Sequence, residues 1–156
     1  MNKVESQLLD QLTEKARLSP RLRMNYNLHG SNESACHRLF NAMEPDSYVR
    51  PHRHLDVEKD ETYILIRGRL GVICFDSDGS ITDTALLIAG TDQVVVNIPH
   101  GMFHTAVSLQ PGTIFFEAKA GPYRGFSDTE KSAWAPEEGS TEAGSYHSKL
   151  CALFNS

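Results

Sequence analysis

Apolar side chains fall at Val4, Leu8, Leu9, Leu12 and Ala16, a single stripe at helical spacing that Pro20 ends. The spacing predicts a short amphipathic helix over 4–17. A helix of that length is marginal alone in water, so its stripe must pack on a sheet or on a partner. From Arg21 the period changes to two. Leu22, Met24, Tyr26 and Leu28 alternate with Arg23, Asn25, Asn27 and His29, which predicts a strand whose apolar set faces a core. Extended segments follow: "CHRLFNAM", "SYVRPHRH", "TYILIRG", "LGVICFD", "ALLIA", "QVVVNIP", "FHTAVSL" and "GTIFFEAK". Turn signals such as "SDGS" at 77–80, "AGTD" at 89–92 and "QPG" at 110–112 separate them. Eight or nine short strands predict an all-β sandwich or barrel over 21–121, preceded by the helical segment 1–20. Residues 122–156 are polar and irregular. They read as part of the same domain, with Trp134 wrapping the barrel and 137–145 mobile.

With 156 residues the chain suits one domain with one core. Twenty acidic residues against fifteen basic ones, a formal charge of −5, argue against nucleic acid as a partner, because phosphate binding wants a concentrated positive field. A small anionic ligand held by one or two arginines remains compatible. No apolar run approaches the ~18 residues of a membrane span, and the N-terminus lacks the apolar stretch of a secretory signal. Cys36, Cys74 and Cys151 are odd in number and show no pairing motif, so they read as reduced thiols. A cytoplasmic protein is expected.

The stretch "PHRHLDVEKDET", residues 51–62, changes the picture. His52 and His54 project from one face of an extended chain and can ligate a single metal. Glu61, at the head of the next strand, offers a third ligand, with Glu58 as its competitor. His104, in "PHGMFH", offers a fourth. This nitrogen–oxygen donor set suits one divalent transition metal (Fe, Mn, Ni, Co, Zn or Cu), and the sequence does not choose among them.

The same residues resemble the two motifs of the cupin superfamily, G-x5-HxH-x3,4-E-x6-G and G-x5-PxG-x2-H-x3-N. The chain reads His52-x-His54, Glu61-x6-Gly68 and Pro99-x-Gly101-x2-His104-x3-Ser108. The leading glycine of the first motif is absent and six residues separate His54 from Glu61. Glu58 fits the shorter spacing, but Glu61 keeps the distance to Gly68 and is preferred. In the second motif Gly90 lies further upstream than usual and Ser108 replaces asparagine. Within the superfamily the chain is most similar to the WbuC-type metalloproteins encoded with O-antigen genes, through "RMNYNLH", "RLFNAMEPDSYVRPHRH", "ETYILIRGRLGVICFD", "IPHGMFHT", "FFEAKAGPY" and "WAPEE". The resemblance implies a jelly-roll barrel, metal ligands at His52, His54, Glu61 and His104, a homodimer, and a role in surface-polysaccharide biosynthesis.

If period two persists through 48–54, Tyr48 and Arg50 share the face of the histidines and contact substrate, as does Tyr63 beyond Glu61. Arg50 would then meet Glu117, another acid or an anionic ligand. Asn27 and His29 lie either on a solvent-facing polar strand or at the barrel mouth, where they would bind a sugar or carboxylate. Glu117, alternating with Thr113, Phe115 and Lys119, is the first candidate acid–base group and His29 the second. His100 reads as a turn residue. Three functions fit: a metal-dependent isomerase or epimerase acting on a sugar or sugar acid, an Fe(II)-dependent dioxygenase, or a non-catalytic module binding a carbohydrate or metabolite. A structural cupin stapled by its metal is a further possibility.

Overall fold

Burial alternates along the strands as period two requires, and that alternation builds the barrel. In the computed structural model, which describes residues 1–155, β3 (Glu61–Arg67) turns Glu61, Tyr63 and Leu65 inward. β8 (Thr113–Ala120) does the same with Thr113, Phe115 and Glu117. These strands lie in a five-stranded antiparallel sheet with β1 (Arg23–Asn27), β2 (Cys36–Met43) and β6 (Val95–Ile98), in the order β1-β2-β8-β3-β6. A three-stranded sheet, β5-β4-β7, faces it, built from β4 (Arg69–Phe75), β5 (Ile81–Ile88) and β7 (Phe103–Ser108). Met43, Tyr63, Leu65, Leu70, Val72, Leu87, Ile98, Ala106 and Phe115 fill the space between. This is the jelly roll of the cupin fold. The glycine of the first motif has a steric reason: Gly68 turns from β3 into β4 at φ +83, and a Cβ there would collide with Thr113.

The predicted N-terminal helix forms as α1, Ser6–Leu18, and lays Leu9, Leu12 and Ala16 on Ala42 and Ile114, on the outer face of the larger sheet. An ion pair between Asp10 and Arg67 ties it to the end of β3. A second helix, α2 (Ala143–Ala152), was not expected. It covers the outer face of the smaller sheet, where Leu150, with Phe154 just beyond it, packs on Ile73, Phe75, Phe103 and Val107. Both faces of β7 are buried as a result. Among the described residues no helix is long and apolar enough to cross a membrane.

Three expectations change. The segment 137–145, expected to be mobile, is fastened by ion pairs from Glu137 to Arg50 and from Glu138 to Arg23, and leads into α2. Residues 47–54 are not a continuous strand; only His52 forms an isolated bridge. The apolar set of β1 does not face the core: Met24 and Tyr26 are 37% and 40% exposed, because β1 is an edge strand whose other face looks toward the barrel mouth.

Candidate metal centre

Backbone pairing brings the two motifs together. His52 and His104 exchange N–H···O bonds of 3.0 and 2.8 Å, which sets their side chains side by side. Gly101 donates to the His54 carbonyl at 2.6 Å, so the turn of the second motif anchors the first. Glu61 enters from the start of β3. The ligand atoms of His52, His54, Glu61 and His104 all lie within 4.8 Å of one another. Glu58 is exposed in the turn before β3 and takes no part.

The cluster fits a metal in three further respects. His52 and His104 each donate Nδ1–H to the carbonyl two residues earlier, Arg50 and Met102, at 3.0 Å. That fixes the tautomer which leaves Nε2 free to ligate. His54 Nε2 is buried without a hydrogen-bond partner, 3.4 Å from Glu61 Oε2. Glu61, 1% exposed, sets Oε2 2.8 Å from His104 Nε2 and accepts from Lys119 at 2.8 Å through Oε1. Burial alone would raise its pKa; Lys119 and His104 outweigh burial and hold the carboxyl well below the usual range. A buried carboxylate whose second oxygen faces three imidazoles is a donor set that fits a cation.

A cavity of about 260 Å³ opens from the cluster to the barrel mouth. His52, Glu61, Tyr63, Glu117 and Lys119 line its inner end, and Arg21, Arg23, Asn25 and Asn41 its outer part. Lys119 bridges Glu61 to Glu117, 2.5 Å from Glu117 Oε1, and Asn41 donates to Glu117 Oε2 at 2.7 Å. Burial and the charge of Glu61 push Glu117 up to about 7, against the pull of Lys119. Burial and Glu61 likewise raise Tyr63 well above the usual tyrosine range, so its hydroxyl stays protonated. On its far side the cluster is roofed by Phe126, whose ring lies 4.5 Å from His52 and 5.5 Å from His54.

Other residues singled out in the sequence lie elsewhere. Because 47–51 is irregular, period two does not carry Tyr48 and Arg50 inward. Tyr48 donates its hydroxyl to Pro136 O, and Arg50 is engaged by Ser132 O and Glu137, neither lining the cavity. Asn27 is exposed and accepts from Asn25, two residues earlier, which lines the cavity in its place. His29 stacks on His37 at 4.1 Å and accepts the Arg38 N–H, also outside the cavity. His100 is a rim residue paired with Asp60. Lys119 and Asn41 were missed, although Lys119 alternates with Glu117 on the same strand.

Comparison with known proteins agrees on the fold. The family described as "Domain of unknown function (DUF6016)" matches residues 4–87, more than half of the sequence. The chain belongs to this family. No curated protein matches it. Among solved structures, KdgF from Halomonas sp. is similar at 17% identity and a TM-score of 0.52, over 69% of this chain and 85% of that one. TT1209 from Thermus thermophilus is similar at 19% and 0.53, over 77% and 97%. A conserved protein of unknown function from Streptococcus pyogenes is similar at 9% and 0.53, over 80% and 91%. At such identities the likeness is one of fold.

Proposed function

We propose that this DUF6016 member is an isomerase- or epimerase-type catalyst. It would act on a small sugar or sugar-derived acid, with one divalent transition metal held by His52, His54, Glu61 and His104. The observation that carries the reading is that cluster and cavity share residues: His52 and Glu61 belong to both. A metal that merely stapled the barrel would need no such opening. A bound ion of this kind polarises a carbonyl or hydroxyl of the substrate. The rest falls to the protein. Glu117, with a pKa near 7, suits the taking and returning of a proton at neutral pH. Lys119 and Asn41 hold its two oxygens and so aim it. Tyr63 keeps its proton and can donate to an oxygen of the substrate. The apolar core behind Tyr63 and Phe115 keeps water from that side.

The resemblance to WbuC-type proteins supports a place in surface-polysaccharide biosynthesis. A homodimer is supported by a row of apolar residues on the outer face of the larger sheet. Tyr26, Phe40, Phe116, Ile64 and Val95 are successive cross-strand partners, and Val95 is 51% exposed.

The test is wash-in of solvent deuterium at the carbon beside the carbonyl of candidate aldoses and uronates, followed by NMR on metal-loaded protein. Glu117→Gln should slow exchange by about 10²–10⁴-fold while keeping the metal. Equal rates would remove Glu117 from the mechanism. Consumption of dioxygen in place of exchange would replace the isomerase reading with the oxygenase one.

A further inference from the structure

The cavity carries a charge that the chain as a whole does not. Arg21, Arg23 and Lys119 line it against Glu61 and Glu117, in a protein whose formal charge is −5. A divalent ion at the cluster would make the excess of positive charge larger. Two of the three cations already have partners. Lys119 bridges the two glutamates. Arg23 gives Nη2 to both oxygens of Glu138 at 2.7 Å and Nη1 to Tyr48 O at 2.9 Å, so its fork is occupied. Arg21 is different: among the described residues its guanidinium makes no hydrogen bond and no ion pair, and its polar contacts are those of its backbone.

That backbone is held firmly. The Arg21 N–H donates to Ser19 Oγ at 3.3 Å and its carbonyl accepts the Ser47 hydroxyl at 2.7 Å. The next residue, Leu22, sits at φ 53, a left-handed conformation strained for a leucine. Hydrogen bonds on both sides maintain it, from Leu22 N–H to Ser19 O and from Glu44 N–H to Leu22 O, each 2.9 Å. The anchored backbone thus presents an exposed guanidinium, unpaired within the chain, at the rim of the cavity, where an anion can take it.

We propose that Arg21 receives the carboxylate of an acidic ligand whose other end reaches the metal cluster, with Asn25 and Asn41 facing the hydroxyls between. A guanidinium fork matches a carboxylate bidentately. The cavity volume lies just below the roughly 300–1,000 Å³ of drug-sized ligand sites, so it takes one sugar acid rather than a nucleotide-linked sugar. The assignment rests on the reading that this cavity holds the substrate of the metal centre, and it selects sugar acids over neutral sugars.

The test is calorimetric titration of the full zinc-loaded chain with D-glucuronate and with D-glucose. Wild type should prefer glucuronate. Arg21→Ala should lose at least tenfold in glucuronate affinity with glucose binding and melting temperature unchanged, and Arg21→Lys should recover part of the loss. Glucuronate binding that needs the metal ligand His104 yet ignores Arg21→Ala overturns the Arg21 assignment and leaves the metal-site reading standing. Binding that needs Arg21 but is the same in His104→Ala keeps the anion site and overturns the metal-site reading. A preference for glucose overturns the assignment, and failure of both sugars to bind overturns both readings.

Discussion

Lys119 lies opposite Glu61 across the β8–β3 pair and holds it by one oxygen, Nζ to Oε1 at 2.8 Å, while Oε2 faces His54 and His104. Glu61 is thereby set to offer a single oxygen to a metal, and its charge is balanced before any ion arrives. Lys119→Met should weaken metal affinity by about 10–100-fold, the usual effect of removing a partner that orients a ligand. Competition with a chromophoric chelator measures it. Lys119→Arg should retain most of the affinity, and equal affinity in Lys119→Met would mean that Glu61 needs no such support.

Metal should stabilise the fold, because the four donors converge only when the chain is folded. At a free ion concentration a hundred times Kd, linkage gives about 2.7 kcal/mol. For a chain of this size that corresponds to a rise of roughly 5–10 °C in melting temperature. His104→Ala should abolish the rise and Glu58→Gln should leave it intact, as calorimetry with and without chelator would show. A rise that persists in His104→Ala would place the ion elsewhere.

Acid should unfold the metal-free chain through His52. Burial, with His104 beside it, pushes His52 down to about 3 from the usual 6.5. The unfolded chain therefore takes up a proton near pH 6.5 that the folded chain refuses until about pH 3. This contribution to stability is whole above 6.5 and drains away as pH falls toward 3. Urea midpoints measured across that window should decline, and less steeply in His52→Gln. A flat wild-type profile would contradict the burial of a neutral imidazole.

The cluster of His52, His54, Glu61 and His104 was legible because its spacing is tied to backbone pairing that the fold requires. The glutamate of the first motif was settled by its distance to Gly68, a turn that only glycine fits. Tyr48 and Arg50 were misplaced because period two was extended through 47–54, where Pro51 and an isolated bridge leave no regular pleat. Met24 and Tyr26 misled for another reason: alternation distinguishes two faces of a strand without saying which is inside. The helix α2 had a signal in Tyr146, Leu150 and Phe154, spaced by four, but the surrounding Ser, Gly and Glu hid it.

Gly71 and Phe154 offer a test of how α2 is seated. A Cβ on Gly71 would run into the Phe154 ring. Phe154→Ala should cost about 3–5 kcal/mol as a buried aromatic truncation, and Gly71→Ala should destabilise as well. The double variant should be more stable than the sum of the two losses, since the smaller residue makes room for the added methyl. Strict additivity in urea unfolding would show that α2 does not depend on this contact.

The apolar row on the larger sheet predicts self-association. Val95→Glu together with Tyr26→Glu should convert a dimer to a monomer in sedimentation without changing metal content, because neither residue lines the cavity. A wild type that sediments as a monomer at micromolar concentration would rule this face out as a dimer contact.

Phe126 has a consequence for access to the cluster. Behind its ring the space beside His54 and Lys119 is about 30 Å³, on the scale of one water molecule. Anything larger has the barrel mouth, lined by Arg21, Arg23, Asn25 and Asn41, as its way in. The two sides therefore differ in what they admit: the mouth takes an organic guest, while the space behind Phe126 takes nothing beyond a water or a bare ion.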